Sequence, residues 1–154
     1  MNKAITRSEA TGLELELVRD FDAPPEMVFE AWTNAEALRT WMGPESRTCP
    51  NADINPVVEG AYSIPMESED GQVDTVVGHY TRIEPPHFLA FSWSWMQEDG
   101  SIGHPMHVSL EFERLEGNRT RMTMLHINLI DETSRDNHSE GWVGCFNCLE
   151  RFLK

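Results

Sequence analysis

The chain is poor in positive charge: 12 Lys and Arg stand against 26 Asp and Glu, a formal net charge of −14. That balance argues against nucleic acid and anionic membrane surfaces, which both need clustered cations to neutralise phosphate. Cysteine is scarce as well, and three, an odd number, do not make a disulfide framework. No apolar run approaches the roughly 18–20 residues that cross a bilayer, so no membrane span is expected. The start, MNKAITRSEATGLELEL, has no apolar stretch of the secretory kind. Together these absences predict a cytoplasmic protein with reduced thiols and an acidic, well-solvated surface.

What the chain does have is large apolar side chains: five Trp, seven Phe and eight Met in 154 residues. Residues 1–11 read as a flexible leader and 12–154 as one domain. Leu13, Leu15 and Leu17 alternate with Glu14 and Glu16, a half-buried first strand. Asp22 is placed as the cap of a first short helix, with Pro24 and Pro25 in its first turn. On that helix Met27, Val28, Ala31 and Trp32 share a face. Asn34 then caps a second, with Leu38, Trp41 and Met42 as its stripe and Gly43-Pro44 as its stop.

From Arg47 to Ile127 strands alternate with turns at Glu69-Asp70-Gly71, Pro85-Pro86 and Glu116-Gly117-Asn118. Gly78, inside a strand, marks a bulge or a close approach. The end of the chain changes period. Trp142, Cys145, Phe146, Leu149, Phe152 and Leu153 form the apolar stripe of a long helix, and the polar stretch 131–140 supplies its first turns or a leading loop. Strands in sequence with helices at the ends predict an α+β fold: a curved antiparallel sheet of about six or seven strands wrapped on a C-terminal helix. A ligand pocket would lie between sheet and helix, roofed partly by the two short helices.

These residues resemble the START-like (SRPBCC, helix-grip) superfamily, in particular proteins similar to the C-terminal domain of activators of the heat-shock protein 90 ATPase. The resemblance rests on Phe21-Asp22-Ala23-Pro24, Val28-Phe29-x-Ala31-Trp32-Thr33, Trp41-x-Gly43-Pro44, Gly78-x-Tyr80, Ile83-x-Pro85-Pro86, Leu89-x-Phe91, Thr120-Arg121-Met122-Thr123 and Gly141-Trp142. It implies the helix-grip fold, a hydrophobic small-molecule partner, and a chaperone partner or homodimer as alternatives. Some superfamily members are cyclases, dehydratases or hydrolases. One departure stands out: where relatives often carry Asp-x-Arg-x-Gly-Gly, this chain has Asp53-Ile54-Asn55-Pro56-Val57-Val58-Glu59-Gly60. A pocket function resting on that arginine does not carry over.

The ligand-pocket candidates are Trp32, Trp41, Tyr80, Phe91, Trp93, Trp95, Met122, Met124, His126, Trp142 and Phe146. Flat rings line apolar pockets, while indole N–H and phenol O–H groups orient a polar substituent. His126 joins Met122 and Met124 beneath the helix if the even positions of the last strand face inward, but Thr123, Leu125 and Ile127 fit an apolar face equally well. With Tyr80, it is the candidate proton-transfer group of an enzymatic alternative. Cys145-Phe146-Asn147-Cys148 has redox spacing but sits inside the helix rather than at its N-terminus, where a thiol would be activated. A zinc site there would need two more ligands, and Cys49 is the only other thiol. No metal or other cofactor is expected. No phosphate-binding Gly loop or Ser-His-Asp order is present.

Overall fold

The computed structural model describes residues 13–43 and 46–154, so the leader expected at 1–11 lies outside the described residues. Strand β1 (Leu13–Phe21) leads into helices α1 (Pro25–Thr33) and α2 (Ala35–Trp41). Then come β2 (Arg47–Thr48), β3 (Asp53–Ile54), β4 (Ala61–Ser68), β5 (Val73–Glu84), β6 (Phe88–Trp95), β7 (Met106–Leu115), β8 (Arg119–Leu129) and helix α3 (Glu132–Phe152). The sheet is antiparallel in the order β1-β8-β7-β6-β5-β4-β2, with β3 paired to β4 off this path. This is the expected helix-grip architecture. The two-residue strands β2 and β3 were not anticipated, being too short to show any period.

The inner face is set by alternation. Tyr62, Ile64 and Met66 of β4, Phe91 and Trp93 of β6, and Val108, Leu110 and Phe112 of β7 are all buried. In β8 the even positions face inward: Met122, Met124 and His126 have no exposure. The parity then breaks, because Asn128 adopts φ 66° and both Ile127 and Leu129 are buried. Gly78 is a close approach: a Cβ there would lie 2.2 Å from the Ser92 carbonyl oxygen and 2.8 Å from the Tyr62 ring.

Three local expectations are corrected. Pro24, not Asp22, occupies the N-cap of α1, and Pro25 is the first helical residue. The fixed φ of proline suits that turn, so the helix begins with no side-chain cap. On α1 the buried face carries Phe29 with Val28, Ala31 and Trp32, while Met27 points to solvent at 48% exposure. On α3 Phe152, at 39%, falls outside the buried stripe of Trp142, Cys145, Phe146 and Leu149. Asn34 does cap α2, its side-chain oxygen accepting from Ala37 N at 3.0 Å. The stretch from Glu132 onward is helical, capped by Asp131 through the Ser134 N–H at 2.8 Å. Arg19 of β1 ties the far end of α3 to the sheet, donating to Glu150 at 3.0 Å and Asn147 at 2.8 Å.

The departing segment has its own geometry. Glu59 takes φ 69°, a conformation that glycine adopts without strain. Its N–H bonds the Tyr80 carbonyl at 2.7 Å, and Tyr80 N–H returns a bond to the Gly60 carbonyl at 2.9 Å. A Cβ on Gly60 would fall 1.9 Å from the Asn55 carbonyl oxygen. Glycine is therefore obligatory at 60, and at 59 a glutamate fills a position better suited to one.

Candidate functional site

A cavity of about 630 Å³ opens between the β4-β5-β6 side of the sheet and the first half of α3. Its apolar wall is made by Trp93 and Trp95 of β6, Trp142 of α3, Met66, Met96 and Ile130. Polar groups come from the sheet, where Arg47 and Asp74 pair at 2.6 Å, and from the helix start, with Asp131, Ser134, Asn137 and His138. No residue of α1 or α2 lines it, so these helices do not form the expected roof. They pack on the core instead, where Trp41 donates to the Ala31 carbonyl at 2.9 Å and meets Trp32 edge-on at 4.7 Å.

His138 organises the wall. Its Nε2 accepts from Trp95 Nε1–H at 3.0 Å and from Trp93 Nε1–H at 3.4 Å. Its Nδ1 lies 2.8 Å from the Ser134 carbonyl, which can only accept. The proton is therefore on Nδ1, the imidazole is neutral, and both ring nitrogens are engaged. Burial lowers its pKa, although the Ser134 bond pulls the other way. The sequence reading passed over His138 because it lies in a polar stretch, yet it stands one helical turn before Trp142 and so shares its face.

Behind the wall lies a second histidine. His126, fully buried, accepts at Nδ1 from Trp142 Nε1–H at 3.1 Å and stands 4.8 Å from His138 ring to ring. Because indole can only donate, the His126 proton sits on Nε2. Burial first, then His138 and His107, hold this group well below the usual histidine range. Among the described residues His126 Nε2 and Trp32 Nε1 have no hydrogen-bond partner. A buried donor left in that state costs about 1–3 kcal/mol.

Of the sequence candidates, Trp93, Trp95 and Trp142 line the cavity. Trp32, Trp41, Tyr80, Phe91, Met122, Met124, His126 and Phe146 lie in the buried interior and do not line it. Trp32, Phe91, Trp93 and Trp142 run in continuous ring contact, with Trp93 and Trp142 4.8 Å apart. Phe146 stacks on Trp142 at 6.0 Å, and Tyr80 meets Tyr62 and Phe91. Burial raises the Tyr80 hydroxyl to about 12. Cys145 is buried and its thiol is pushed up to about 12, which removes the reactive thiolate a redox pair would need. Among the described residues no group of three or more His, Cys, Asp or Glu side chains could hold a metal ion.

His107 belongs to the outer face. It is 3% exposed, and its Nε2 lies 2.9 Å from Thr81 Oγ1. Burial, with His79 nearby, lowers it to about 4.

Helix, sheet and aromatic groove together define a helix-grip protein with an indole-walled cavity open to solvent. The chain belongs to the family described as Activator of Hsp90 ATPase homolog 1-like protein, which matches residues 22–154. It is similar to the AHSA1 protein of Silicibacter pomeroyi, with 29% identity, a TM-score of 0.84, and coverage of 92% of this chain and 97% of that one. A protein from Arthrobacter aurescens matches with 25% identity and a TM-score of 0.82, over 92% of this chain and 86% of that one. A Chromobacterium violaceum protein shares the fold at 22% identity and a TM-score of 0.80, over 91% and 96% of the two chains. No curated protein sequence matches. Among the described residues no helix is long and apolar enough to cross a membrane.

Proposed function

We propose that this protein binds a small, largely apolar aromatic molecule between β6 and the first half of α3. The observation that carries the reading is the wall: three indoles around about 630 Å³, two of them oriented by one histidine. Small-molecule sites commonly enclose about 300–1,000 Å³, with flat apolar walls and a few polar groups to orient the ligand. Here Arg47, Asp74, Ser134 and Asn137 supply those groups.

Binding fits the geometry better than proton transfer. Neither His126 nor Tyr80 lines the cavity, and both nitrogens of His138 are occupied. The buried free thiols of Cys49 and Cys145 suit a reducing cytoplasm. Titrating naphthalene-sized neutral aromatics into the full chain is the test. Saturable quenching of tryptophan emission, with indole N–H shifts at Trp93, Trp95 and Trp142, is expected. The reading fails if no such compound moves these signals.

A second reading is favoured by the cavity mouth, where Met96 and Ile130 are 42% and 66% exposed and Ile102 is bridged to Met96. Such a rim also suits protein contact, either with a chaperone of the kind the family's description names or with a second copy of this chain. Pulldown with a bacterial heat-shock protein 90 homologue, lost on Ile130→Asp, would support it.

A further inference from the structure

We propose that the site holds its ligand only while His138 is neutral, because this one ring is the acceptor that positions two of the three indoles in the wall. The inference rests on the binding site proposed above and adds its control: acid empties it.

A neutral imidazole has a single acceptor nitrogen. In His138 that nitrogen is Nε2, and it accepts from Trp95 Nε1–H at 3.0 Å and from Trp93 Nε1–H at 3.4 Å. Its other nitrogen donates to the Ser134 carbonyl at 2.8 Å, so that edge of the ring is engaged as well. A proton added to Nε2 removes the lone pair and sets three N–H donors against one another. Indole nitrogen can only donate, so neither bond survives. His138 itself lines the cavity, together with the carboxylates of Asp74 and Asp131. An imidazolium drawn toward those carboxylates enters the space a ligand would fill. Trp93 and Trp95 then lose their common anchor.

The charges around His138 leave it free to titrate. β6 carries no ionisable side chain. On β8, His126 stands 4.8 Å away ring to ring and is neutral, its Nδ1 taken by the Trp142 N–H. On α3 itself Arg135 pairs with Asp136 at 3.9 Å, and Asp131 lies at the helix start. Elsewhere in the wall Arg47 and Asp74 offset each other at 2.6 Å. Burial lowers the His138 pKa and the Ser134 carbonyl works against it, which puts the transition below pH 6.5.

The test is a calorimetric titration of 2-acetylnaphthalene, which has no ionisable group, into the full chain from pH 7.5 to 5. Far-UV circular dichroism at each pH checks that the protein is folded. Below the His138 midpoint, read from its ring ¹⁵N signals, affinity should fall about tenfold per pH unit, as it must when one proton has to leave before the ligand enters. In the ligand-free protein the Trp93 and Trp95 indole N–H signals should move with that same midpoint. His138→Gln supplies an acceptor oxygen that does not titrate, and its affinity should be the same at both ends of the range. His107→Gln, on the outer face, should keep the wild-type profile. If His138→Gln does not fold, the wild-type profile and the indole signals decide.

Undiminished affinity at a pH where His138 is protonated would overturn the inference and leave the binding site standing. So would an imidazole that stays neutral until the protein unfolds. A loss that persists in His138→Gln, or that vanishes in His107→Gln, would place the titration elsewhere and overturn it too. Absence of binding at every pH would instead refute the binding site, and the inference with it.

Discussion

Replacing Gly141 by alanine tests the helix and the cavity with one methyl group. Gly141 lies in the interior of α3, where glycine costs about 0.5–1 kcal/mol relative to alanine because it loses more backbone freedom on folding. An added Cβ meets nothing within 4 Å, so no clash offsets that gain. The variant should be more stable by about 0.5–1 kcal/mol, which at this chain length raises Tm by roughly 1–4 °C. The methyl would stand in the cavity wall, between a ligand and the helix backbone. Affinity for a naphthalene-sized ligand should therefore fall, by about tenfold if the ligand must withdraw from a buried contact. Urea and thermal unfolding, followed by tryptophan emission, measure the first effect, and the titration measures the second. A lower Tm would refute the claim that the space beside Gly141 is open. A higher Tm with unchanged affinity would refute the placement of the ligand against α3.

Acid should weaken the fold through its buried histidines. His107 is lowered from 6.5 to about 4, so below pH 6.5 the unfolded chain takes up the proton first, and stability present at neutral pH is lost as pH falls towards 4. That one group accounts for a loss of about 2 kcal/mol between pH 7.5 and 5; His126 and His138 shift in the same direction. Urea midpoints at the two pH values should show His107→Gln losing less than wild type, and equal losses would contradict the assignment. Glu59→Gly should relieve the φ of 69° and raise stability by up to about 1 kcal/mol, less the extra chain entropy of glycine when unfolded. A lower urea midpoint in that variant would show that the Glu59 side chain contributes more than its backbone costs.

Much of the fold was legible because its signals are periodic. The Leu13-Leu15-Leu17 alternation, the Asn34 cap and the stripe through Trp142, Cys145, Phe146 and Leu149 each follow from one local rule, and the structure agrees with each. The shared parity of Trp93 and Trp95 likewise places both on one wall. β8 could not be settled from sequence, since both of its faces carry apolar residues and the left-handed Asn128 changes the parity near its end. His138 was hidden for a different reason. Its role depends on two indoles from a strand more than 40 residues away, and no local pattern encodes that encounter. The helices α1 and α2 were read correctly as elements and wrongly as a roof, because tryptophan at a helix end says that a ring is buried without saying what buries it.

The sheet order has a consequence for how the protein is made. β1 is made before the other described strands, yet among the described residues its sheet partner is β8, with Phe21 opposite Thr120. At about 5–20 residues per second a ribosome needs roughly 5–20 s to cover that interval. From the moment Leu13, Leu15 and Leu17 leave the exit tunnel until β8 follows, that row lacks its native partner strand. Synonymous codon changes that slow translation between β1 and β8 would lengthen this exposure and lower the soluble yield, although the protein sequence stays the same.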